Sequence, residues 1–322
     1  MLIMTPARVA VLLKLYIFKI VGEQIPLARG EEPSIAYNVP SIRLNNGVMM
    51  PIMAFGANLW SPEVCRKATI DALQAGFRNI WSSEIVGTGC QSAQAKAMQE
   101  AFHIVSRENL FLTGTVDTAS CSTEQQCYKQ TKSQAEMQFK VLGEKNLDML
   151  MLDYPPRSGG CAAIQGQWKA LEEIYETKRV RSIAVSNFDA KHLECILGVK
   201  GATVPAVNQL LFSVTEGGES LVKKNAQHGI NLQAYTPLGG TPPGRASLAK
   251  HPVLKQIGKN HQKTAAQVAL RWIVQKNATI CFSSSNMQHL QENNAIFGAF
   301  RLSEAEMVEL STIGRNRVSG EL

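Results

Sequence analysis

Short apolar runs alternate with longer segments of mixed polarity along most of the chain. Eight of these runs are rich in small and β-branched residues and end in polar or turn residues, which is typical of strands buried on both faces of a parallel sheet. The runs span residues 53–56, 79–82, 110–115, 149–153, 182–188, 206–209, 231–235 and 278–282. Because a helix-length segment follows most of them, the alternation predicts an α/β fold, a (β/α)8 TIM barrel.

Helical periodicity marks nine further segments. They span residues 62–75, 93–104, 122–142, 164–177, 190–197, 218–228, 265–276, 287–297 and 304–313. The last is an extra C-terminal helix, for which Ser303 is the predicted N-cap. Two short alternating runs around Asn46-Gly47 predict an N-terminal β-hairpin over residues 41–51, placed to close the bottom of the barrel. The stretch 237–252, rich in Gly and Pro, predicts an irregular loop.

The first 38 residues have a different character from the rest. Residues 9–21 are apolar except for Lys14 and Lys19, and Arg8 precedes them. This run is shorter than the roughly 18 apolar residues that a spanning helix needs. Two interpretations fit: a targeting peptide that is removed, or a retained helix that docks on a membrane surface or a protein partner. The chain is therefore divided into an N-terminal targeting or docking segment with a linker, residues 1–38, and a barrel, residues 39–322.

Charge and cysteine content narrow the function classes. Lys and Arg number 33 against 26 Asp and Glu, a surplus of 7. No basic cluster is interleaved with aromatic residues, so nucleic acid is not an expected partner. The seven cysteines show no spacing typical of a metal site, so no metal is expected. An odd number of cysteines favours free thiols in a reducing compartment, an organelle included, with a Cys121–Cys127 pair in one loop as the alternative.

Several short motifs occur in a fixed order on this barrel pattern. They are Leu44-Asn45-Asn46-Gly47 with Phe55-Gly56, Val185-Ser186-Asn187-Phe188, Asn208-Gln209, Ala234-Tyr235-Thr236-Pro237-Leu238-Gly239 and Glu292-Asn293. In these motifs, and over about residues 39–318, the sequence resembles the aldo-keto reductases. The resemblance implies hydride transfer from a nicotinamide nucleotide, with the protein supplying an acid and orientation.

The resemblance also implies roles for nine residues around a nucleotide. Ser186, Asn187 and Gln209 match contacts to the nicotinamide carboxamide, and Tyr235 matches the aromatic residue that stacks on the nicotinamide ring. The remaining matches are Leu238 near the pyrophosphate, Ser284 and Asn286 at the phosphate and adenosine, and Glu292 and Asn293 at the adenine. The alternative is that these residues are structural and that no nucleotide is bound.

Two positions predict weaker binding of the 2′-phosphate. Ser283 and His289 stand where NADP-preferring members of the family carry a Lys and an Arg. His289 is charged only when protonated, with an ordinary pKa near 6.5. The expected cofactor is therefore NADPH or NADH, with the 2′-phosphate adding little.

The family's four catalytic residue types are missing. Its Asp, Tyr, Lys and His positions are occupied by Trp81, Val86, Thr115 and Asp153. Val86 has no proton to donate, and Thr115 has no positive charge that could lower the pKa of a phenol. The favoured hypothesis is a pseudoenzyme that has lost carbonyl reduction and serves as a binding or structural protein, an accessory subunit docked on a protein partner or membrane-associated assembly through residues 9–21.

The alternative hypothesis is that the chain is an enzyme that uses the pocket of the aldo-keto reductases. It is an NAD(P)H-dependent oxidoreductase, or a repurposed isomerase, lyase or cyclase. Asp153, Tyr154 or Glu84 would then be its acid or base.

Overall fold

A β-hairpin is the first element of the computed structural model, which describes residues 39–216, 218–239 and 247–318. Strands β1 (Ser41–Arg43) and β2 (Met49–Pro51) pair antiparallel. Gly47 has φ +85°, a left-handed conformation that favours glycine. Leu44 and Met50 pack against residues from the barrel's strands, among them Phe111. The hairpin therefore closes the amino end of the barrel, as the sequence predicts.

The eight apolar runs form a closed barrel of parallel strands. These are β3 (Met53–Gly56), β4 (Asn79–Ser82), β5 (Phe111–Val116), β6 (Leu147–Leu152), β7 (Val180–Ser186), β8 (Val207–Leu211), β9 (Asn231–Tyr235) and β10 (Thr279–Phe282). Each strand pairs with its neighbours in sequence, and β10 closes the ring on β3. The predicted (β/α)8 barrel is confirmed. In such a barrel the polar residues that end the strands collect at one face.

Ten helices accompany the barrel in the described part of the chain. They are α1 (Pro62–Gln74), α2 (Thr88–Glu100), α3 (Glu124–Leu142), α4 (Gly160–Glu176), α5 (Ala190–Leu197), α6 (Gly218–Ala226), α7 (Pro252–His261), α8 (Ala265–Gln275), α9 (Met287–Asn294) and α10 (Glu304–Val318). Side-chain caps explain several starts. Ser61 caps α1, and Thr264 and Gln267 form a capping box at α8.

One helix was absent from the sequence expectation, and several others differ from it in their ends, among them α4, which begins at Gly160 and not at Ile164. Helix α7 was not predicted, because its Gly- and Pro-rich surroundings indicate a loop. Pro252 suits the first helical turn, where its missing N–H costs no hydrogen bond, and Leu254 and Ile257 are buried. Helix α2 begins at Thr88, five residues before the predicted start at Ala93.

Six of the seven cysteines are paired, so the expectation of free thiols is wrong for them. Disulfides join Cys65 to Cys90, Cys121 to Cys127 and Cys161 to Cys195, and Cys281 is free and buried. Two of the pairs link neighbouring helices, which sequence spacing alone does not reveal. Disulfides persist in oxidising compartments, so the argument for a reducing compartment loses its basis. The compartment itself stays a prediction.

The predicted N-terminal segment, residues 1–38, lies outside the described residues, and so does its apolar stretch 9–21. Within the described ranges, every helix is too short or too polar to cross a membrane.

Candidate active site at the carboxyl end of the barrel

A cavity of about 500 Å³ opens at the carboxyl ends of the barrel strands. Its walls come from residues at or just after seven of the eight strands, which is where active sites of such barrels lie. The lining includes Ala57, Asn58, Leu59, Trp81, Ile85, Val86, Asp153, Tyr154, Ser186, Asn187, Gln209, Tyr235, Thr236, Pro237, Leu238, Gly239, Cys281, Phe282 and Ser283. Of the described residues that line it, none is Lys, Arg or His.

One side of the cavity is a network of neutral polar groups. Asn187 follows β7 with φ +62°, and its amide Nδ2 donates to the Ser186 hydroxyl at 3.1 Å. The Tyr235 hydroxyl donates to Asn187 Oδ1 at 2.9 Å. Gln209 on β8 donates to Gln233 at 2.7 Å. The four residues predicted to meet a nicotinamide, and Leu238, therefore line one cavity.

The other four predicted nucleotide residues lie on and before α9, outside the cavity lining. Asn286 caps this helix, its Oδ1 accepting from the Gln288 N–H at 2.9 Å. The Asn286 N–H donates to the Ser284 hydroxyl at 3.1 Å, and Gln288 holds the Glu292 carboxylate at 2.7 Å. Asn293 is buried. Ser284, Asn286 and Glu292 therefore take part in local hydrogen bonds at α9.

The four positions at which the resemblance predicts that the catalytic residues are lost lie together on the opposite side of the cavity. Trp81 is the penultimate residue of β4, and Asp153 directly follows β6. Val86 lies in the 3-10 turn Glu84–Val86. These three line the cavity, whereas Thr115 on β5 is fully buried beneath it. Val86 packs against the Cys65–Cys90 disulfide in an apolar cluster. This corner of the cavity, formed by Trp81, Val86, Thr115 and Asp153, therefore combines apolar side chains with a carboxyl, an indole and a hydroxyl group.

Asp153 is the carboxyl group with the largest pKa shift in this corner. Its side chain is 3% exposed, and its Oδ2 accepts from the Ser83 hydroxyl at 2.9 Å. Thr115 in turn donates to Ser83 at 2.7 Å. Burial raises the pKa of Asp153 from 3.8 to about 6; the hydrogen bonds oppose the rise, and the charges of Asp117 and Glu84 add to it. The carboxyl can therefore hold or release a proton near neutral pH.

Glu84 and Tyr154, the other two candidate acids, are less well placed. Glu84 does not line the cavity, and burial followed by the charge of Asp117 raises its pKa. Tyr154 lines the cavity at 40% exposure. Burial and then the charges of Asp153 and Asp117 raise the pKa of Tyr154, so its phenol becomes a poorer acid. Asp153 is the best supported of the three.

Sequence reasoning missed several groups that complete the corner. Ser83 is visible in the sequence only as a polar residue directly after the second barrel strand. The indole Nε1 of Trp81 is buried and lacks a hydrogen-bond partner among the described residues. A Cβ on Gly56 would lie 3.1 Å from both the Trp81 ring and the Cys281 sulfur, so only glycine leaves this floor undisturbed. Burial raises the pKa of Cys281, which keeps this thiol neutral.

Comparisons with known proteins agree with this architecture. Residues 53–315 match the model of the Aldo/keto reductase family. An aldo-keto reductase of Mycobacterium sp. (strain KMS) is 30% identical over 274 residues, which covers 85% of this chain and 93% of that protein. The 9,11-endoperoxide prostaglandin H2 reductase of Trypanosoma cruzi is 30% identical over 289 residues, covering 88% and 95%. An aldo-keto reductase of Bombyx mori in complex with NADP shares the fold with a TM-score of 0.76 at 24% identity, covering 85% and 92%.

These relatives overturn the favoured hypothesis from the sequence. The interpretation of a pseudoenzyme that serves as an accessory subunit is wrong, because proteins that align along most of the chain are named as reductases. They favour the alternative of an NAD(P)H-dependent oxidoreductase.

Proposed function

This chain belongs to the aldo/keto reductase family, and we propose that it is an NAD(P)H-dependent oxidoreductase that reduces a polarised double bond in the cavity at the carboxyl end of the barrel. The observation that carries the proposal is the buried Asp153 carboxyl, whose pKa lies at about 6. Its backbone carbonyl accepts a 3.0 Å hydrogen bond from Asn187, one of the predicted nicotinamide residues. A proton donor with a pKa near neutral pH thus lies beside the residues predicted to bind the nicotinamide, which form the cofactor side of the cavity.

The residues of the cofactor side fit a nicotinamide nucleotide. Ser186, Asn187 and Gln209 offer hydroxyl and amide groups to a carboxamide, and Tyr235 offers an aromatic surface for the ring. The capped start of α9, with Ser284 and Asn286, suits a phosphate.

The described residues offer few favourable contacts to the 2′-phosphate that distinguishes NADPH from NADH. Ser283 and His289 are exposed and supply no permanent positive charge. We therefore infer that the enzyme uses both nucleotides and discriminates little between them.

The nucleotide supplies the hydride when it is bound. The protonated Asp153 carboxyl donates its proton to the substrate heteroatom that gains electron density. The Ser83 hydroxyl, itself held by Thr115, stabilises the carboxylate that remains. Leu59, Ile85 and Val86 form an apolar wall beside the site of this step.

The test is turnover by the purified full chain, followed as loss of nucleotide absorbance with a panel of aldehydes, ketones and imines. We expect the unmodified protein to oxidise NADPH or NADH with at least one substrate. Asp153→Asn, which keeps the shape but removes the proton, should lower kcat by about 100-fold or more. The nucleotide Kd should not change, because the contact from Asn187 is to the Asp153 backbone.

The matched control is Glu100→Gln on α2. Glu100 is a surface carboxylate paired with Arg66, far along the helix from the cavity lining. It should leave kcat unchanged. Full turnover by Asp153→Asn would remove Asp153 from the mechanism. A protein that binds nucleotide but reduces nothing in the panel would contradict the proposed function.

A further inference from the structure

Another cavity, of about 470 Å³, lies at the amino end of the barrel, opposite the proposed active site. Its lining includes Asn231, the first residue of β9, and Asn277, two residues before β10 begins. Other parts of the wall come from the hairpin and from the second half of α6. The volume lies in the range of about 300–1,000 Å³ that is typical of sites for small molecules. The mechanism proposed for the carboxyl end makes no use of this cavity.

The charged groups of this cavity, which we call the rim cations, all have the same sign. They are Arg43 on β1, Lys223 on α6 and Lys276 directly after α8. Among the described residues that line the cavity, none is Asp or Glu. The described part of the chain offers Arg43 and Lys223 no ion-pair partner. The electrostatic potential of the cavity is therefore positive and attracts an anion.

Apolar side chains form the floor of the cavity. Leu44, Ile230 and Leu232 are buried and belong to the core clusters beneath the cavity. Arg43 and Lys223 are exposed, so the charges lie at the edge and the apolar surface lies deeper. A bare inorganic anion would leave this floor in contact with water. An anion with an apolar body removes the floor from water while its charged head meets the rim cations.

The ends of helices offer another reason for a lysine in this region. A cation in the last turn of a helix is favoured by the unpaired carbonyl groups there, and both Lys223 and Lys224 lie in the last turn of α6. That reason applies equally to both lysines, whereas only Lys223 lines the cavity. It does not apply to Arg43, which lies in a strand. The convergence of Arg43 and Lys223 above an apolar floor is therefore the observation that points to a ligand.

We propose that this cavity binds a small amphipathic anion, a carboxylate with an apolar body, whose head group lies among the rim cations and whose body covers the floor. This ligand is distinct from the nucleotide and from the substrate at the carboxyl end. The proposal therefore does not depend on the proposed function.

The first experiment compares decanoate with decanol by calorimetry on the purified full chain. The two probes have the same apolar body and differ in the charge of the head group. We expect the Kd of decanoate to be about tenfold lower than that of decanol, because opposite charges attract at the rim. Equal Kd values, or no binding of decanoate at millimolar concentration, would overturn the proposal. Inorganic phosphate that bound as tightly as decanoate would overturn the need for an apolar body.

Two neighbouring lysines of α6 provide a matched pair of variants. Lys223→Gln removes a rim cation and should raise the Kd of decanoate about fivefold, the usual limit for an exposed ion pair. Lys224→Gln makes the same change of net charge in the same helical turn but outside this cavity lining, and it should leave the Kd unchanged. Equal effects of the two variants would show a general charge effect and would overturn the site.

A third variant tests the location of the apolar body. Ala226 lines the cavity and is exposed, so Ala226→Trp fills the space without burying a new side chain in the core. It should abolish the binding of decanoate and leave the melting temperature of the protein close to that of the unmodified chain. Decanoate that bound the Ala226→Trp variant with an unchanged Kd would lie elsewhere on the protein, and the proposal would be wrong.

Discussion

The two sides of the cavity differ in the kind of polar group that each presents. On the side of β7, β8 and β9 the groups are neutral, and Asn187 is held between the Tyr235 hydroxyl at 2.9 Å and the Asp153 carbonyl at 3.0 Å. On the side of β4, β5 and β6 the central group is the buried carboxyl of Asp153. Neutral hydrogen bonds do not change with pH, whereas the charge of a carboxyl with a pKa of about 6 does. Binding of the nucleotide and chemistry on the substrate should therefore respond differently to pH and to mutation.

The largest expected effect is on protein stability. It concerns the wall of the cavity on the side of β4, β5 and β6, which we call the substrate side. The Cys65–Cys90 disulfide packs with Val86 and Ala57 in one apolar cluster and lies near the backbone of Asn58. Replacing both cysteines by Ser should lower the free energy of unfolding by about 3.5 kcal/mol, the value expected for a loop of this length. Urea denaturation measures the loss. The KM for substrate should rise, and the nucleotide Kd should not change.

The Cys161–Cys195 pair is the matched control. It closes a loop of similar length but joins α4 to α5, away from the cavity lining. Its double Ser variant should lose similar stability and keep the KM for substrate. If both double variants changed this KM equally, the wall of the substrate side would not depend on the Cys65–Cys90 link.

The second-largest expected effect is on the way in which the free energy of unfolding changes with pH. The pKa of Asp153 in the folded protein, about 6, lies above its ordinary value of 3.8, so the protonated carboxyl favours the folded state. This contribution is complete at acid pH and is lost as the pH rises through about 6. Relative to Asp153→Asn, the unmodified protein should therefore lose about 3 kcal/mol of unfolding free energy between about pH 4 and pH 7.

Urea denaturation of both proteins across this pH range measures the difference. Glu100→Gln, which alters an exposed carboxylate on α2, should follow the unmodified protein throughout. A constant difference between Asp153→Asn and the unmodified protein would show that the carboxyl is not buried as described.

The two sides of the cavity also differ in how far the sequence could predict them. The residues of the cofactor side, Ser186, Asn187, Gln209 and Tyr235, lie in or directly after barrel strands, and the closure of the barrel brings these strands together. Their meeting in one cavity was therefore predictable from the apolar runs and the motifs. The fold itself follows from the same runs.

The substrate side depends on contacts between residues that are distant in the sequence. Ser83 and Asp153 are 70 residues apart, and their hydrogen bond depends on the loop geometry after β4 and β6. The pKa of Asp153 depends on burial, which no local pattern reveals. From the sequence alone, Val86 and Thr115 predict a loss of activity, because a sequence shows which groups are absent more readily than which groups replace them.

The smallest expected effect is on the cofactor side. Tyr235→Ala removes both the ring proposed to stack on the nicotinamide and the hydroxyl that holds Asn187. Nucleotide Kd, followed by fluorescence titration, should rise about tenfold, in line with the usual contribution of an aromatic contact. Tyr235→Phe keeps the ring and should change Kd by only about twofold or threefold, the effect of losing one weak hydrogen bond. If Tyr235→Phe weakened binding as much as Tyr235→Ala, the hydroxyl network through Asn187, and not stacking, would hold the nucleotide, and the cofactor side would then be linked to Asp153 more tightly than its neutral groups suggest.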